Sequence, residues 1–326
     1  AELLDIQIMR PPLGRVTMLS KFEESLLFNG VEVKLSSDQF PGVVDPKGYW
    51  LIKEFWLDPF PIWTYEIDGI ELEKRVFMVH GSNTTVCRWS FAGGVPEGVV
   101  LSIKPLLSFV DYHGLQHESD DIHFHCAFED GKATIDTAGI GAKLLLLHNG
   151  LKVSETGYWY RDFEYAIERE RGFDFKEDLF QPFEIVFDIS SGPAVIAASA
   201  DTVSRVNYGT LEAAEIKRRR SLIKRAGAQT DLEKELVLAA DQFIVERGSG
   251  YTVIAGYPWF SDWGRDTMIA FNGLTLATGR TDIAKQILLE FSKHISEGML
   301  PNRFPDAGDE AEYNTADATL WYFEAV

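Results

Sequence analysis

Tyr257-Pro-Trp-Phe-Ser-Asp-Trp-Gly-Arg-Asp-Thr267 divides the chain. Residues before it read mainly as β-structure, and residues after it read as helices. The segment itself lies between two helical patterns, which predicts a loop, and loops on a rigid scaffold are where binding residues concentrate. Trp259, Phe260 and Trp263 offer flat apolar faces that fit the C–H faces of a pyranose. Arg265 brings a fork of donors, and Asp262 and Asp266 bring acceptors, for its hydroxyls. That chemistry suggests a sugar. A second reading fits the same residues: an interior in which Trp259 and Trp263 pack and Arg265–Asp266 is a structural ion pair.

Working upstream, residues 26–200 are short runs rich in Val, Ile, Phe, Trp and Tyr, separated by Asn29-Gly30, Asp68-Gly69, Asp130-Gly131 and Asn149-Gly150. These dipeptides are hairpin signals, because both central residues of a type I′ turn need positive φ. Many strands with tight turns predict antiparallel sheets in a β-sandwich. Around Asp68-Gly69, Ile67, Ile70, Leu72 and Val76 line one face. Ile122-His-Phe-His-Cys126 invites a metal, yet in a strand His123 and His125 share a face while Cys126 points away. No second ligand cluster accompanies them, so a solvated or packed strand face is expected and no metal site. Residues 158–171 are less regular: either a segment that folds over the neighbouring domain or a short helix packed on the sheets.

The domain boundary falls between the sheets and a helix-forming stretch, Leu211 to Arg225, that runs from acidic to basic along its length. Thr230-Asp-Leu-Glu233 is a capping-box pattern that opens the next helix. Leu232, Leu236, Ala239 and Phe243 fall on one face and predict its buried stripe, with Gly248-Ser-Gly250 as the stop. Past the central loop, residues 267–277 are nearly all apolar and predict a buried helix. Another helix is expected over 282–295, then a loop from Leu300, then a helix opened by Asn314 to Trp321. The expected division is therefore a β-sandwich domain over 1–205, a linker helix over 206–229, and a helical domain over 230–326.

Bulk properties agree with a large neutral partner. The chain has 326 residues, enough for two domains, and 45% of them are hydrophobic. Its formal net charge of −19 leaves no basic field for a nucleic-acid backbone. The run Lys217 to Arg220 is read as the basic face of a helix docked on acidic surface. Two cysteines, Cys87 and Cys126, give no disulfide framework and read as free thiols of a reducing compartment. The first residues lack the regions of a signal peptide, and no run of about eighteen apolar residues marks a membrane span. A cytoplasmic location is expected.

Gly256-Tyr-Pro-Trp-Phe-Ser-Asp-Trp-Gly-Arg-Asp-Thr267 resembles the signature of the prokaryotic glycogen debranching enzymes of the amylo-α-1,6-glucosidase type. More distantly, Trp263-Gly-Arg-Asp266 is similar to the Trp-x-Arg-Asp of glucoamylases. The resemblance implies an (α/α)6 barrel, begun but not completed within this chain. It also implies inverting acid/base hydrolysis of α-1,6-linked glucose in glycogen or another branched α-glucan, without cofactor or metal. By that resemblance Arg265 and Asp266 hold the hydroxyls of the terminal glucose, and Asn302, Arg303, Asn314, Asp317 and Trp321 belong to the loops that line the same pocket. Inversion needs an acid and a base carboxylate roughly 6.5–9.5 Å apart. Asp306, Asp309, Glu310, Glu312 and Asp317 are nearby carboxylates, of which Asp317 is the candidate acid. The resemblance places the family's acid and base further along, past Val326, and reads the chain as an internal section of a larger enzyme. Two other readings stay open: another α/α-barrel glucan enzyme, such as a glucoamylase or a glycoside phosphorylase, and a non-catalytic carbohydrate-binding protein.

Overall fold

The computed structural model describes residues 15–94, 97–137, 142–203, 205–247, 250–257, 259–303 and 311–326. It divides into two compact units, the first covering Val16–Glu212 and the second Ala213–Val326 together with Arg15.

The first unit is antiparallel sheet. Its strands are β1 (Val16–Phe28), β2 (Val31–Lys34), β3 (Ser37–Phe40), β4 (Val43–Lys47), β5 (Ile52–Trp56), β6 (Ile62–Ile67), β7 (Ile70–Met78) and β8 (Thr84–Phe91). They continue as β9 (Val100–Asp111), β10 (Phe124–Glu129), β11 (Lys132–Thr137), β12 (Leu144–His148), β13 (Lys152–Glu164), β14 (Lys176–Asp188) and β15 (Ala194–Ser199). Strands β3 and β4 pair as a small sheet of their own, and the two large sheets run β13-β14-β9-β1-β2 and β10-β11-β12-β15-β8-β7-β6-β5. Both contribute to one hydrophobic core, with Met18, Phe22, Leu101, Ile103 and Phe183 from the first and Leu72, Cys87, Trp89, Leu146 and Ile196 from the second. Alternation accounts for this, since every second side chain of a strand points to the same face.

Three of the four turn dipeptides join paired strands, and two of these three have positive φ at both positions. Asn29 and Gly30 have φ of 51° and 77°, and Asp68 and Gly69 have 49° and 81°, so both tight hairpins use the left-handed pair that the sequence predicts. Asp130-Gly131 also joins paired strands, β10 and β11. Asn149-Gly150 does not: β12 pairs with β11 and β15, while β13 pairs with β14. There the chain crosses between sheets, and the Asn149 side chain instead accepts from the Val195 amide and donates to the Pro193 carbonyl. Residues 158–164 belong to β13, and the five-residue helix α1 (Ala166–Glu170) links β13 to β14.

Helix α2 (Tyr208–Ala226) leads into α3 (Asp231–Phe243). The basic stretch of α2 finds carboxylates, Arg218 pairing with Glu215 and Asp241, Arg219 with Glu215, and Arg225 with Asp282. Thr230 closes the predicted capping box with Glu233. The predicted stripe of α3 is wrong by one step, however. Leu232 and Leu236 are 65% and 59% exposed, Ala239 is also exposed, and Val237 and Ala240 are the buried residues. Both faces of α3 carry apolar residues, so periodicity alone does not choose between stripes that differ by about 100° of rotation.

After α3 comes a hairpin, β16 (Ile244–Arg247) and β17 (Gly250–Val253), where only a helix stop was expected. Helix α4 spans Gly264–Phe271 and runs into a π-helical turn over Asn272–Leu276. It therefore starts three residues before the predicted helix and puts Arg265, Asp266 and Thr267 in its first turn. Helices α5 (Thr281–Ser292) and α6 (Asp317–Ala325) complete the unit. Met268, Phe271, Ala284, Ile287, Phe291 and Ala318 form its core.

Candidate functional site

The hairpin, the loop after it and the N-termini of α4 and α6 build the site. The loop closes on itself: the Ala255 amide donates to the Ser261 carbonyl at 2.9 Å and the Phe260 amide to the Gly256 carbonyl at 2.8 Å. The buried Arg15 guanidinium donates to the Phe260 carbonyl at 2.8 Å and stands 5.7 Å from the centroid of the Tyr257 ring. At the end of the loop Asp262 is only 4% exposed. Its Oδ2 accepts from the Arg247 guanidinium and, at 3.0 Å, from the Thr252 hydroxyl. Burial pushes the Asp262 carboxyl above its ordinary value, against the opposing pull of Arg247 and Thr252. This carboxylate clamps the loop to the hairpin rather than facing outward.

Trp263 comes next, in extended conformation, as the residue before α4. Its ring meets that of Phe260 edge to face, with centroids 6.1 Å apart. Trp263 bridges to Arg303, and Arg303 in turn bridges to Glu312. The Gly264 amide donates to the Asn302 carbonyl at 2.8 Å. A Cβ at position 264 would lie 2.2 Å from the Pro301 carbonyl oxygen, so only glycine permits this approach. Backbone contact thus sets the register between the start of α4 and the loop that carries Asn302 and Arg303.

Two helix termini meet on that frame. Helices α4 and α6 share the core of the unit through Met268, Phe271, Ala318 and Ala325. Asp266 sits in the first turn of α4 and Asp317 in the first turn of α6, where the partial positive charge of unpaired backbone N–H groups favours a carboxylate. Arg265 lies between them, Nε 3.7 Å from Asp266 Oδ2 and Nη1 3.9 Å from Asp317 Oδ2. Beside them Asn302 Nδ2 donates to Asn314 Oδ1 at 3.1 Å, Asn314 Nδ2 to Glu312 at 3.4 Å, and Arg303 to Glu312 at 3.1 Å. Asp266 Oδ2, Asn302 Oδ1, Thr315 Oγ1 and Asp317 Oδ1 are buried atoms without a hydrogen-bond partner among the described residues. Buried acceptors of this kind are costly unless something donates to them.

Of the residues singled out in the sequence, Arg265, Asp266 and Asp317 come together around one guanidinium, with Asn302, Arg303, Glu312 and Asn314 forming a linked set of hydrogen bonds. Asp262 is diverted to the scaffold. Trp259 is half-buried, Phe260 is exposed in the loop, and Trp321 is exposed on α6 one turn after Asp317. Asp306, Asp309 and Glu310 lie outside the described residues. Sequence reasoning missed Arg247, Thr252, Gly264 and Thr315. Gly264 stood inside the quoted loop, and its lack of a side chain beside two bulky neighbours was the signal for a close backbone approach.

The chain thus combines an antiparallel β unit, a connecting helix and a helical unit whose helix N-termini carry polar residues. The structure resembles that of a bacterial glucoamylase complexed with acarbose, with a TM-score of 0.58 at 11% sequence identity, over 95% of this chain and 50% of that one. The family described as "Glycogen debranching enzyme N terminal" matches residues 4–196, and "Amylo-alpha-1,6-glucosidase" matches residues 238–326. The chain belongs to the glycogen debranching enzyme family. Over 80 residues it is 41% identical to the glycogen debranching enzyme of Saccharomyces cerevisiae, a stretch that is 23% of this chain and 5% of the yeast protein. It thus spans half of the glucoamylase chain and a small part of the yeast enzyme.

Proposed function

We propose that this chain serves an amylo-α-1,6-glucosidase, which hydrolyses α-1,6-linked glucose at the branch points of a glycogen-like α-glucan with inversion at the anomeric carbon. In this reading the β unit is a β-sandwich domain over 1–205, residues 206–229 are the linker helix, and 230–326 begin an (α/α)6 barrel. The observation that carries the proposal is Arg265 held within 4 Å of both Asp266 and Asp317 at two packed helix N-termini. A guanidinium flanked by carboxylates presents donors and acceptors side by side, the pattern that vicinal hydroxyls complement. Buried acceptors on Asp266, Asn302 and Asp317 support the same reading, because sugar hydroxyls can donate to them.

The chain's own residues then orient the glucose. Arg265 donates to ring hydroxyls while Asp266 and Asp317 accept from them, and Asn302 and Asn314 extend the row. The aromatic side chains of Trp259, Phe260, Trp263 and Trp321 supply apolar faces. Fixed contacts of this kind raise the rate by holding the scissile bond in place and by strengthening as the ring distorts. Asp317 shares Arg265 with Asp266, which suits a hydroxyl acceptor better than a proton donor over the leaving oxygen. The general acid and base are therefore assigned to other carboxylates. A cytoplasmic location belongs to the same reading, in which Cys87 and Cys126, which form no disulfide with each other, stay reduced. Among the described residues no helix is long and apolar enough to cross a membrane.

The test is glucose release from a phosphorylase-trimmed branched dextrin by the natural-length protein, with and without added phosphate. Release without phosphate is expected, and its loss in Asp266→Ala with an unchanged thermal transition. Release of glucose phosphate only when phosphate is present would instead assign the site to a phosphorylase. Near-normal turnover of Asp266→Ala would remove the direct sugar contact.

A further inference from the structure

The open edge of the eight-stranded sheet holds a second concentration of aromatic and charged groups, in the β unit. One row of side chains crosses the sheet through registered partners: Trp89 on β8 opposes Lys74 on β7, Lys74 opposes Trp63 on β6, and Trp63 opposes Phe55 on β5. Trp89 is buried in the core and Phe55 is exposed at the edge. Between them Lys74 Nζ lies 5.9 Å from the Trp89 ring centroid and 5.6 Å from that of Trp63. It also stands 2.8 Å from Glu24 Oε1 on β1 of the other sheet, with the two side chains 3% and 2% exposed. This ion pair lines a cavity of about 220 Å³ whose walls include Ser36, Tyr49, Trp63 and Tyr65.

The wall that carries Tyr49 is fixed by backbone. A 3₁₀ turn covers Gly48–Leu51. Its Gly48 amide donates to the Ser36 carbonyl at 2.9 Å, and a Cβ at 48 would lie 1.9 Å from the Leu35 carbonyl oxygen. The Tyr49 amide donates to the Ser37 hydroxyl at 2.9 Å. Next to the cavity, Trp50 is 71% exposed and its ring lies 5.7 Å from that of Tyr49, while the Phe55 and Trp63 rings are 5.0 Å apart.

We propose that this cleft is a second carbohydrate site, which takes one glucosyl ring of an α-glucan chain; the choice of glucan rests on the function proposed for the helical unit. Three features select an uncharged, hydroxyl-rich ring. Apolar rings and hydroxyl groups line the same space. The charges on its walls are answered: Lys74 and Glu24 offset each other, and Lys21, also on the wall, pairs with Glu23 and Asp38. Each cation on the wall thus has a carboxylate partner, so the cleft offers hydrogen-bonding groups and no unpaired cation that would select an anion. At about 30 Å³ per water molecule the cavity has room for about seven waters, the scale of a single six-membered ring with its hydroxyls. A buried ion pair can commonly be replaced by apolar residues without loss of stability, and recognition of hydroxyls gives this one a reason to stay charged. Addition of a second copy along the sheet edge is disfavoured, because edge strand β5 carries Lys53 and Glu54, and charges on an edge block strand pairing.

The experiment titrates maltoheptaose into the natural-length protein by calorimetry, with sedimentation on glycogen alongside, for wild type, Tyr49→Ala, Trp63→Phe and Asp266→Ala. Two classes of site are expected in wild type. Tyr49→Ala should weaken one class about tenfold, the equivalent of about 1.4 kcal/mol, and leave glucose release from a short branched substrate unchanged. Trp63→Phe keeps the core filled and should give a smaller loss in the same class. Asp266→Ala should abolish the other class alone. If Tyr49→Ala and Trp63→Phe both bind as wild type while Asp266→Ala binds nothing, the second site is overturned and the helical site stands. If Asp266→Ala keeps all binding and Tyr49→Ala loses it, the second site stands and the helical reading falls. Concentration-dependent dimers abolished by Phe55→Ala, with no second class of sugar binding, would make the patch a contact between copies and overturn the proposal.

Discussion

Asp262 and Asp266 stand one helical turn apart in sequence and do opposite work. Asp262 is buried and holds the loop to the hairpin through Arg247 and Thr252. Asp266, in the first turn of α4, keeps one buried oxygen without a hydrogen-bond partner among the described residues and stands beside a guanidinium that also faces Asp317. The contrast teaches that a cluster of charged residues is not a site as a whole. A satisfied carboxylate holds the frame together, whereas a buried oxygen without a donor is a feature that packing alone does not explain.

The largest expected effect tests the binding half of that contrast. Asp266→Ala should lower glucose release at least about 100-fold, the usual scale for a group whose contact strengthens in the transition state, while the melting temperature stays within a degree or two of wild type. Asp262→Asn should do the reverse. Removing the charge that faces Arg247 costs about 1.5–3 kcal/mol, the scale of a hydrogen bond to a charged group, read as a lower midpoint in chemical denaturation of the helical unit. Equal stability of the two variants would erase the distinction between them.

The β unit contains a pair that sharpens the comparison by pH. Lys21 lies 2.7 Å from Glu23 and also pairs with Asp38, so one partly buried cation serves two carboxylates. Burial chiefly, with Asp38 opposing the pull of Lys21, pushes the Glu23 carboxyl up to about 7. A carboxyl raised in the folded state contributes stability that is fully present below its unfolded value, near 4.5, and lost as pH rises through about 7. Denaturation midpoints should therefore fall between about pH 4.5 and 7, and Glu23→Gln should flatten that slope. A wild-type slope that the variant leaves unchanged would exclude Glu23 as its source. The smallest effect belongs to Thr230→Ala, which opens the capping box of α3 at a cost of about 1 kcal/mol, measurable as a lower melting temperature. No change would mean that the packing of α3 alone sets its start.

Much of this was legible because it is local. The capping box needs only residues 230–233, and the tight hairpins at Asn29-Gly30 and Asp68-Gly69 need only a dipeptide with positive φ. The aromatic and charged loop was legible as a concentration of chemistry, and two of the candidate carboxylates, Asp266 and Asp317, do meet around Arg265. The features that were not legible depend on partners distant in sequence. The fate of Asp262 is decided by Arg247 and Thr252, 15 and 10 residues earlier, on a hairpin that the sequence pattern did not reveal. The stripe of α3 is decided by the surface packed against it, and Asn149-Gly150 by the sheet to which each flanking strand belongs. Local propensity sets the elements; tertiary context assigns their faces.

Gly264 bears on how such a pocket can change. Because its amide meets the Asn302 carbonyl and its α-carbon approaches Pro301, the spacing between the two loops is fixed by main chain alone. Side chains on either loop can then be exchanged without resetting the distance between them. A lineage, or an engineer, can change the groups presented at Arg265, Asn302 and Arg303 one residue at a time, on a frame that carries no memory of the previous ones.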